Sequence, residues 1–125
     1  MIALARRAAF AALLDIARGR ADLDDALDQA RQGLSDPRDL ALLREIVTGT
    51  LRWQARLDWS LAPLSRVGLA RLDREVLVAL RMAAYQLLHL RVPAHAAVDD
   101  AVAAVRGRFG PKLAGFVNAV LRKLA

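Results

Sequence analysis

His89 and His95 are the only imidazoles in a chain of 125 residues that has no cysteine. His95 precedes Asp99 and Asp100 in the sequence, so an acid–base pair or a metal can be imagined there. No second histidine stands at HExxH-type spacing, and a lone histidine far more usually satisfies a loop or packs in a core. His95 is therefore expected to be structural. The missing cysteine removes disulfides, thiolate metal sites and a cysteine nucleophile together. No GxSxG elbow appears, and no glycine-rich phosphate loop follows a strand. Single carboxylates are scattered along helix faces or used as caps. Nothing assembles a catalytic site, so the chain is read as non-catalytic, with no cofactor and no metal.

The other chemistry is cationic. Seventeen arginines and two lysines give a net charge of +6, which favours polyanionic partners. A GC-rich genome also raises arginine over lysine, so part of that excess carries no functional weight. Arg6 and Arg7 fall in the opening turns of a helix, where positive charge opposes the dipole at about 0.3–1 kcal/mol per residue. Either they are solvated arginines on an alanine-rich helix, or they face an anion. Arg44, Thr48, Arg52 and Arg56 recur at steps of four and form one basic stripe if their helix continues. Like charges at this spacing repel by roughly 0.2–0.5 kcal/mol per pair. Glu45 and Asp58 can offset that, which keeps a plain solvated face open beside a binding face. Arg81 borders Leu77 and Leu88 and should pair with a carboxylate, because an unpaired buried charge is costly. Asn118 is a poor residue for a helix interior. It either ties down the Val92–Ala97 loop or meets a partner.

These residues must be positioned by helices. A segment from about Arg74 to Leu90 is apolar nearly all round, which marks a buried helix. It is too short and interrupted to span a bilayer. Leu80, Ala84 and Leu87 should be among the least exposed residues, with the other helices packed around them. The first helix covers residues 3–18 and stops at Gly19. Arginines inside its apolar run, and no small-residue cleavage site after it, suit a cytoplasmic helix and not a signal peptide. Asp22 or Asp24 opens a second helix that ends before Gly33. Ser35-Asp36-Pro37 starts a third, which runs to about Trp53. Gly49 within it costs about 1 kcal/mol against alanine and is expected to admit a closely packed helix. Residues 57–65 give another helical segment, Leu72-Asp73 caps the central helix, and Val92-Pro93 ends it. A helix through Ala94, Ala97, Val98, Ala101, Val102 and Val105 follows. Arg106–Gly110 reads as a basic turn, and Pro111 opens the last helix. With 56% hydrophobic residues, four prolines, no strand pattern and short loops, the chain reads as one all-α domain of about seven helices.

Three blocks, IVTGTLRWQARLD, LRMAAYQLLHLRVPAHAAVDDAV and AGFVNAVLRKLA, resemble the NusB-like helical domain in that order. The resemblance spans about Ala3 to Leu124. That family has two branches, free-standing transcription antitermination factors and the N-terminal domains of RsmB-type methyltransferases, which modify cytosine C5 of 16S ribosomal RNA. GTLRW, YQLL…VPAHAAV and FVNAVLR resemble the methyltransferase branch more closely, whereas antiterminator endings more often read FVNGVLD. Thr48, where an aromatic is common, and Asp99-Asp100, where Asn-Glu is usual, depart from the pattern locally.

The resemblance implies a NusB-like bundle in two packed subdomains, about residues 1–65 and 66–125. It implies RNA binding through the N-terminal arginines Arg6 and Arg7 and nearby surface; together with Arg52 of the basic stripe and Lys112, these are the expected RNA-binding residues. Lys112 and Phe116 fall in the block that contributes to the family's RNA surface. The apolar stripe of Phe116 argues for its burial. The expected partners are RNA, ribosomal RNA first, and either a methyltransferase catalytic domain or a ribosomal or transcription protein. No membrane is expected, and a homodimer stays open. Three functions compete: an RNA-binding domain of a ribosomal RNA methyltransferase, a free-standing antitermination factor, and a helical protein-interaction module whose basic charge is incidental.

Overall fold

The computed structural model describes residues 2–125. Among them are seven α-helices and two 3-10 turns, and no strand: α1 Leu4–Ala17, α2 Leu23–Arg31, α3 Pro37–Arg52, α4 Gln54–Leu61, α5 Arg74–His89, α6 Ala94–Phe109 and α7 Pro111–Leu124. The turns, Ala62–Leu64 and Leu69–Arg71, join α4 to α5.

Local chemistry sets most boundaries. The Asp22 carboxylate accepts the Asp25 N–H at 2.9 Å and caps α2. The Asp36 carboxylate accepts the Arg38 N–H at 2.8 Å, with Pro37 at the first helical position of α3. Gly19, at φ +71°, closes α1 with Gly19 N–H donating to Ile16 and Arg20 N–H to Asp15, the paired bonds of a Schellman end. Two boundaries differ from expectation. Trp53, at φ −100° and ψ 12°, separates α3 from α4, so Arg56 does not continue the α3 stripe. Arg106–Phe109 is helical and not a turn. Arg106 and Arg108 suit the C-terminal end of a dipole, and only Gly110, at φ +87°, leaves the helix.

α5 is the axis of the molecule and touches α1, α3, α4, α6 and α7. One side, through Val78 and Met82, joins a cluster with Leu13, Leu27, Leu43, Ile46 and Val47 from α1, α2 and α3. The other, through Val76, Ala79, Leu80, Ala83 and Ala84, joins Leu57, Leu61, Val105, Val117 and Leu121 from α4, α6 and α7. Each such large side chain gives roughly 1.5–3 kcal/mol on burial, which is why this helix organises the rest. Leu80 and Ala84 are fully buried. Leu87 is only half-buried, at the flank of its cluster, and Leu88 is exposed, so the apolar cover ends before the last turn of α5.

Polar contacts fix the helix directions. Arg18, just past α1, donates to Glu75 in the first turn of α5 at 2.7 Å, while Arg6 near the start of α1 donates to Gln86 in the last. α1 and α5 are therefore antiparallel. Arg108 lies 3.7 Å from Glu75, so α6 also ends beside the start of α5. Arg81 donates twice to Asp58, both bonds 2.8 Å, and ties α5 to α4 as the expected carboxylate pair. Asn118 does not hold the Val92–Ala97 loop. Its side-chain oxygen accepts from Arg122 at 3.0 Å, one turn further along α7.

Candidate nucleic-acid interface

Arg6 departs from its expected role. Only 9% of it is exposed, and its Nε donates to the Gln86 side-chain oxygen at 2.7 Å. Its Nη1 lies 3.3 Å from Asp100 Oδ2, an oxygen that also accepts the Ala3 N–H at 3.3 Å. An anion does stand at the start of α1, as the dipole favours, but it is the protein's own Asp100 carboxylate. Gln86 Nε2 in turn donates to the Met82 carbonyl at 3.1 Å. Arg6 thus joins α1, α5 and α6 and is not presented to a ligand.

Arg7, one residue on, is exposed and has no ion-pair partner among the described residues. Arg52 is exposed at the end of α3, also without an ion pair there. Arg52 acts electrostatically on Tyr85, in the C-terminal half of α5. Tyr85 is buried and its hydroxyl donates to Glu45 at 2.5 Å. Burial first, then the hydrogen bond and the negative charge of Glu45, push its pKa from 10.0 up to about 12, and Arg52 pulls the other way. The ring reaches Glu45 by lying on α3 where Gly49 has no side chain: a Cβ at Gly49 would overlap it. This is the close approach expected of that glycine.

The Tyr85 ring is also one member of a stack. His89, one turn along α5, lies 5.2 Å from Tyr85 and 5.2 Å from Trp53, with interplanar angles of 23° and 17°. Trp53 is 42% exposed. One turn beyond Arg52, the Arg56 guanidinium sits 4.8 Å over the ring of Trp59, itself 69% exposed. These aromatic rings among arginines were missed in the sequence. Trp53 and His89 lie on different helices, and no spacing rule joins them.

Lys112 follows Arg108, which reaches Glu75 at the start of α5. Glu75 and Gln86, which hold Arg108 and Arg6, are about 16 Å apart along α5 at 1.5 Å per residue. Lys112, Arg66 and Lys123 rim a groove of about 430 Å³, floored by Leu113, Val120 and Phe116. Phe116 is half-buried there, and not fully in the core. The four expected residues therefore do not form one cluster. Arg7 and Arg52 are exposed on different helices, Arg6 is buried between helices, and Lys112 lies beside the groove at the start of α7.

His95 is exposed near the start of α6, and not packed in the core. Among the described residues no group of three or more histidines, cysteines or carboxylates is placed to hold a metal ion. Nor is any helix there long and apolar enough to cross a membrane.

Comparison with known proteins agrees with the fold and the three sequence blocks. The chain is 37% identical over 118 residues to ribosomal RNA small subunit methyltransferase B of Pseudomonas putida, covering 94% of this chain and 27% of that protein. It is 42% identical over 100 residues to the Vibrio vulnificus protein of the same name, covering 80% and 23%. The chain thus spans about a quarter of the length of these relatives. Among solved structures, Thermotoga maritima NusB superposes with a TM-score of 0.84 at 25% identity, over 100% of this chain and 92% of that one. Antitermination factors NusB and NusE in complex with double-stranded RNA give a TM-score of 0.87 at 19% identity, over 97% and 92%. The NusB family matches residues 3–125, nearly the whole described chain, and the protein belongs to that family.

Proposed function

We propose that this domain is a non-catalytic RNA-binding module of a ribosomal RNA cytosine-C5 methyltransferase, working in the cytoplasm. The observation that carries the reading is a pair of exposed arginines, Arg7 and Arg52, without an ion pair among the described residues, the second followed directly by the exposed Trp53 that stacks on His89. The similarity to the N-terminal quarter of small-subunit ribosomal RNA methyltransferases supplies the substrate class. In this reading Arg7 and Arg52 neutralise phosphates, Lys112 meets a more distant part of a long strand, and Arg6 positions α1 without touching RNA. A catalytic domain, absent from these 125 residues, performs the transfer.

Phosphate contact releases counterions, so affinity should fall with salt at a slope of about −0.7 per neutralised phosphate on single strands. The test is titration of a 16S ribosomal RNA fragment at several salt concentrations, wild type against Arg7→Ala with Arg52→Ala. Weaker binding and a flatter slope in the variant are expected. Unchanged affinity and slope remove both arginines from the interface. Absence of binding by the wild type at low salt favours a protein-interaction module instead.

A second reading, a free-standing antitermination factor, is favoured by the near-complete mutual coverage with Thermotoga maritima NusB. Deleting the gene separates the two. Loss of a cytosine-C5 methyl group from 16S ribosomal RNA supports the methyltransferase, and loss of transcriptional read-through with methylation intact supports the factor.

A further inference from the structure

We infer that Trp53 is a stacking platform for an unpaired nucleobase of single-stranded RNA, held ready by the Tyr85–His89–Trp53 stack and flanked by Arg52. This inference rests on the RNA-binding reading and names the chemistry that exposed arginines alone do not supply: recognition of a base, beside attraction of a phosphate.

Three observations carry it. First, Trp53 is an exposed indole whose one face is occupied by His89, in near-parallel geometry at 5.2 Å. Ring pairs at 4.5–7 Å attract beyond their buried area, so the indole is held in place before any ligand arrives. Second, the stack is anchored below the surface. Tyr85 is buried, bonded to Glu45, and fitted against the bare backbone of Gly49. Trp53 itself is fixed by its place between two helices: its N–H donates to the Gly49 carbonyl at 3.0 Å, and its carbonyl accepts the Leu57 N–H at 2.8 Å. Third, cations adjoin the indole in sequence, and Arg52 acts electrostatically on Tyr85 at the base of the same stack. Arg52 precedes it at the end of α3, and Arg56, one turn into α4, already rests on a second exposed indole, Trp59. A fixed ring with arginines beside it in the chain takes a flat, electron-rich ligand joined to phosphates. A single-stranded nucleic acid meets that description, because every base has a π-face to offer. A duplex does not, since its bases are already stacked on one another.

The probes are single-stranded oligouridylate and an abasic ribose–phosphate oligomer of equal length and charge, titrated against the 125-residue chain at two salt concentrations. Trp53→Ala should weaken oligouridylate binding by about 5- to 100-fold and leave abasic binding and the salt slope unchanged. Trp53→Phe should retain most of the affinity, because it keeps a ring. Arg52→Ala should show the converse, a flatter slope with both oligomers. Helical circular dichroism of each variant reports folding, and Trp53→Phe keeps the test decisive if the alanine variant unfolds: equal affinity of that variant for the two oligomers overturns the platform. Oligouridylate binding unaltered by Trp53→Ala, while Arg52→Ala still weakens it, overturns the platform and leaves the RNA-binding reading standing. Equal loss for oligouridylate and abasic oligomer overturns it in favour of a structural tryptophan. If the wild type binds neither oligomer at low salt, the platform and the RNA-binding reading both fall.

Discussion

Arg6 and Asp100 lie 94 positions apart in the chain and 3.3 Å apart in space, with about a tenth of either side chain exposed. Removing one partner leaves a buried charge without compensation, which is worth about 3 kcal/mol in such sites. Arg6→Ala should therefore lower the urea midpoint strongly, and Asp100→Asn should do so less, because the amide oxygen still accepts the Ala3 N–H. Arg7→Ala, next door and exposed, should stay within about 0.5 kcal/mol of wild type. Equal stability of Arg6→Ala and Arg7→Ala in a urea titration would remove the buried pair as a determinant of the fold.

That distinction was partly legible. Arg6, Ala9 and Leu13 recur at steps of three and four, so a helical wheel places Arg6 on the inward side of α1 with two core residues. Asp100 likewise sits three residues after Ala97 on the buried side of α6. Periodicity says that both charges point inwards. It does not say that they meet, since that needs α1 and α6 to be brought together by α5. The apolar girth of α5, the capping Asp36-Pro37 pair, the tolerance of Gly49 and the need of Arg81 for a carboxylate were readable because each rests on local pattern. The Trp53–His89 stack and the break between α3 and α4 were not, because both depend on how helices cross.

Gly49→Ala tests the close approach of α3 and α5. The added methyl group cannot coexist with the Tyr85 ring where it stands. Overpacking of this kind costs about 1–3 kcal/mol. We expect a lowered thermal midpoint and weaker near-ultraviolet dichroism, as the aromatic stack loosens. A midpoint equal to that of wild type would show that α3 moves away at little cost.

Tyr85 predicts an alkaline limit. Its pKa is raised in the fold from 10.0 to about 12, so the fold holds the neutral phenol more tightly than the unfolded chain does. The associated stability is fully present below pH 10 and is lost as pH rises towards about 12. The two-unit displacement corresponds to about 2–3 kcal/mol. Urea titrations of wild type and Tyr85→Phe should therefore converge across that window. A constant difference between them would contradict the assignment.

Lys112 follows the Arg108 that reaches Glu75, and Arg7 follows the Arg6 that reaches Gln86, contacts about 16 Å apart along α5. Lys112→Ala should thus leave the affinity of a short oligomer unchanged and reduce the salt slope only for RNA long enough to span that separation. Filter binding with a graded series of lengths reads this directly. The same loss at every length would place Lys112 within the Arg7 region.

The bond between α1 and Asp100 also orders events in time. A ribosome adding about 5–20 residues per second needs roughly 5–19 s to go from Arg6 to Asp100. Throughout that interval the first helix of the nascent chain lacks the carboxylate that satisfies its guanidinium and its leading amide. Its N-terminal turn is therefore completed only once Asp100 has been made, 94 residues after the guanidinium that the carboxylate satisfies.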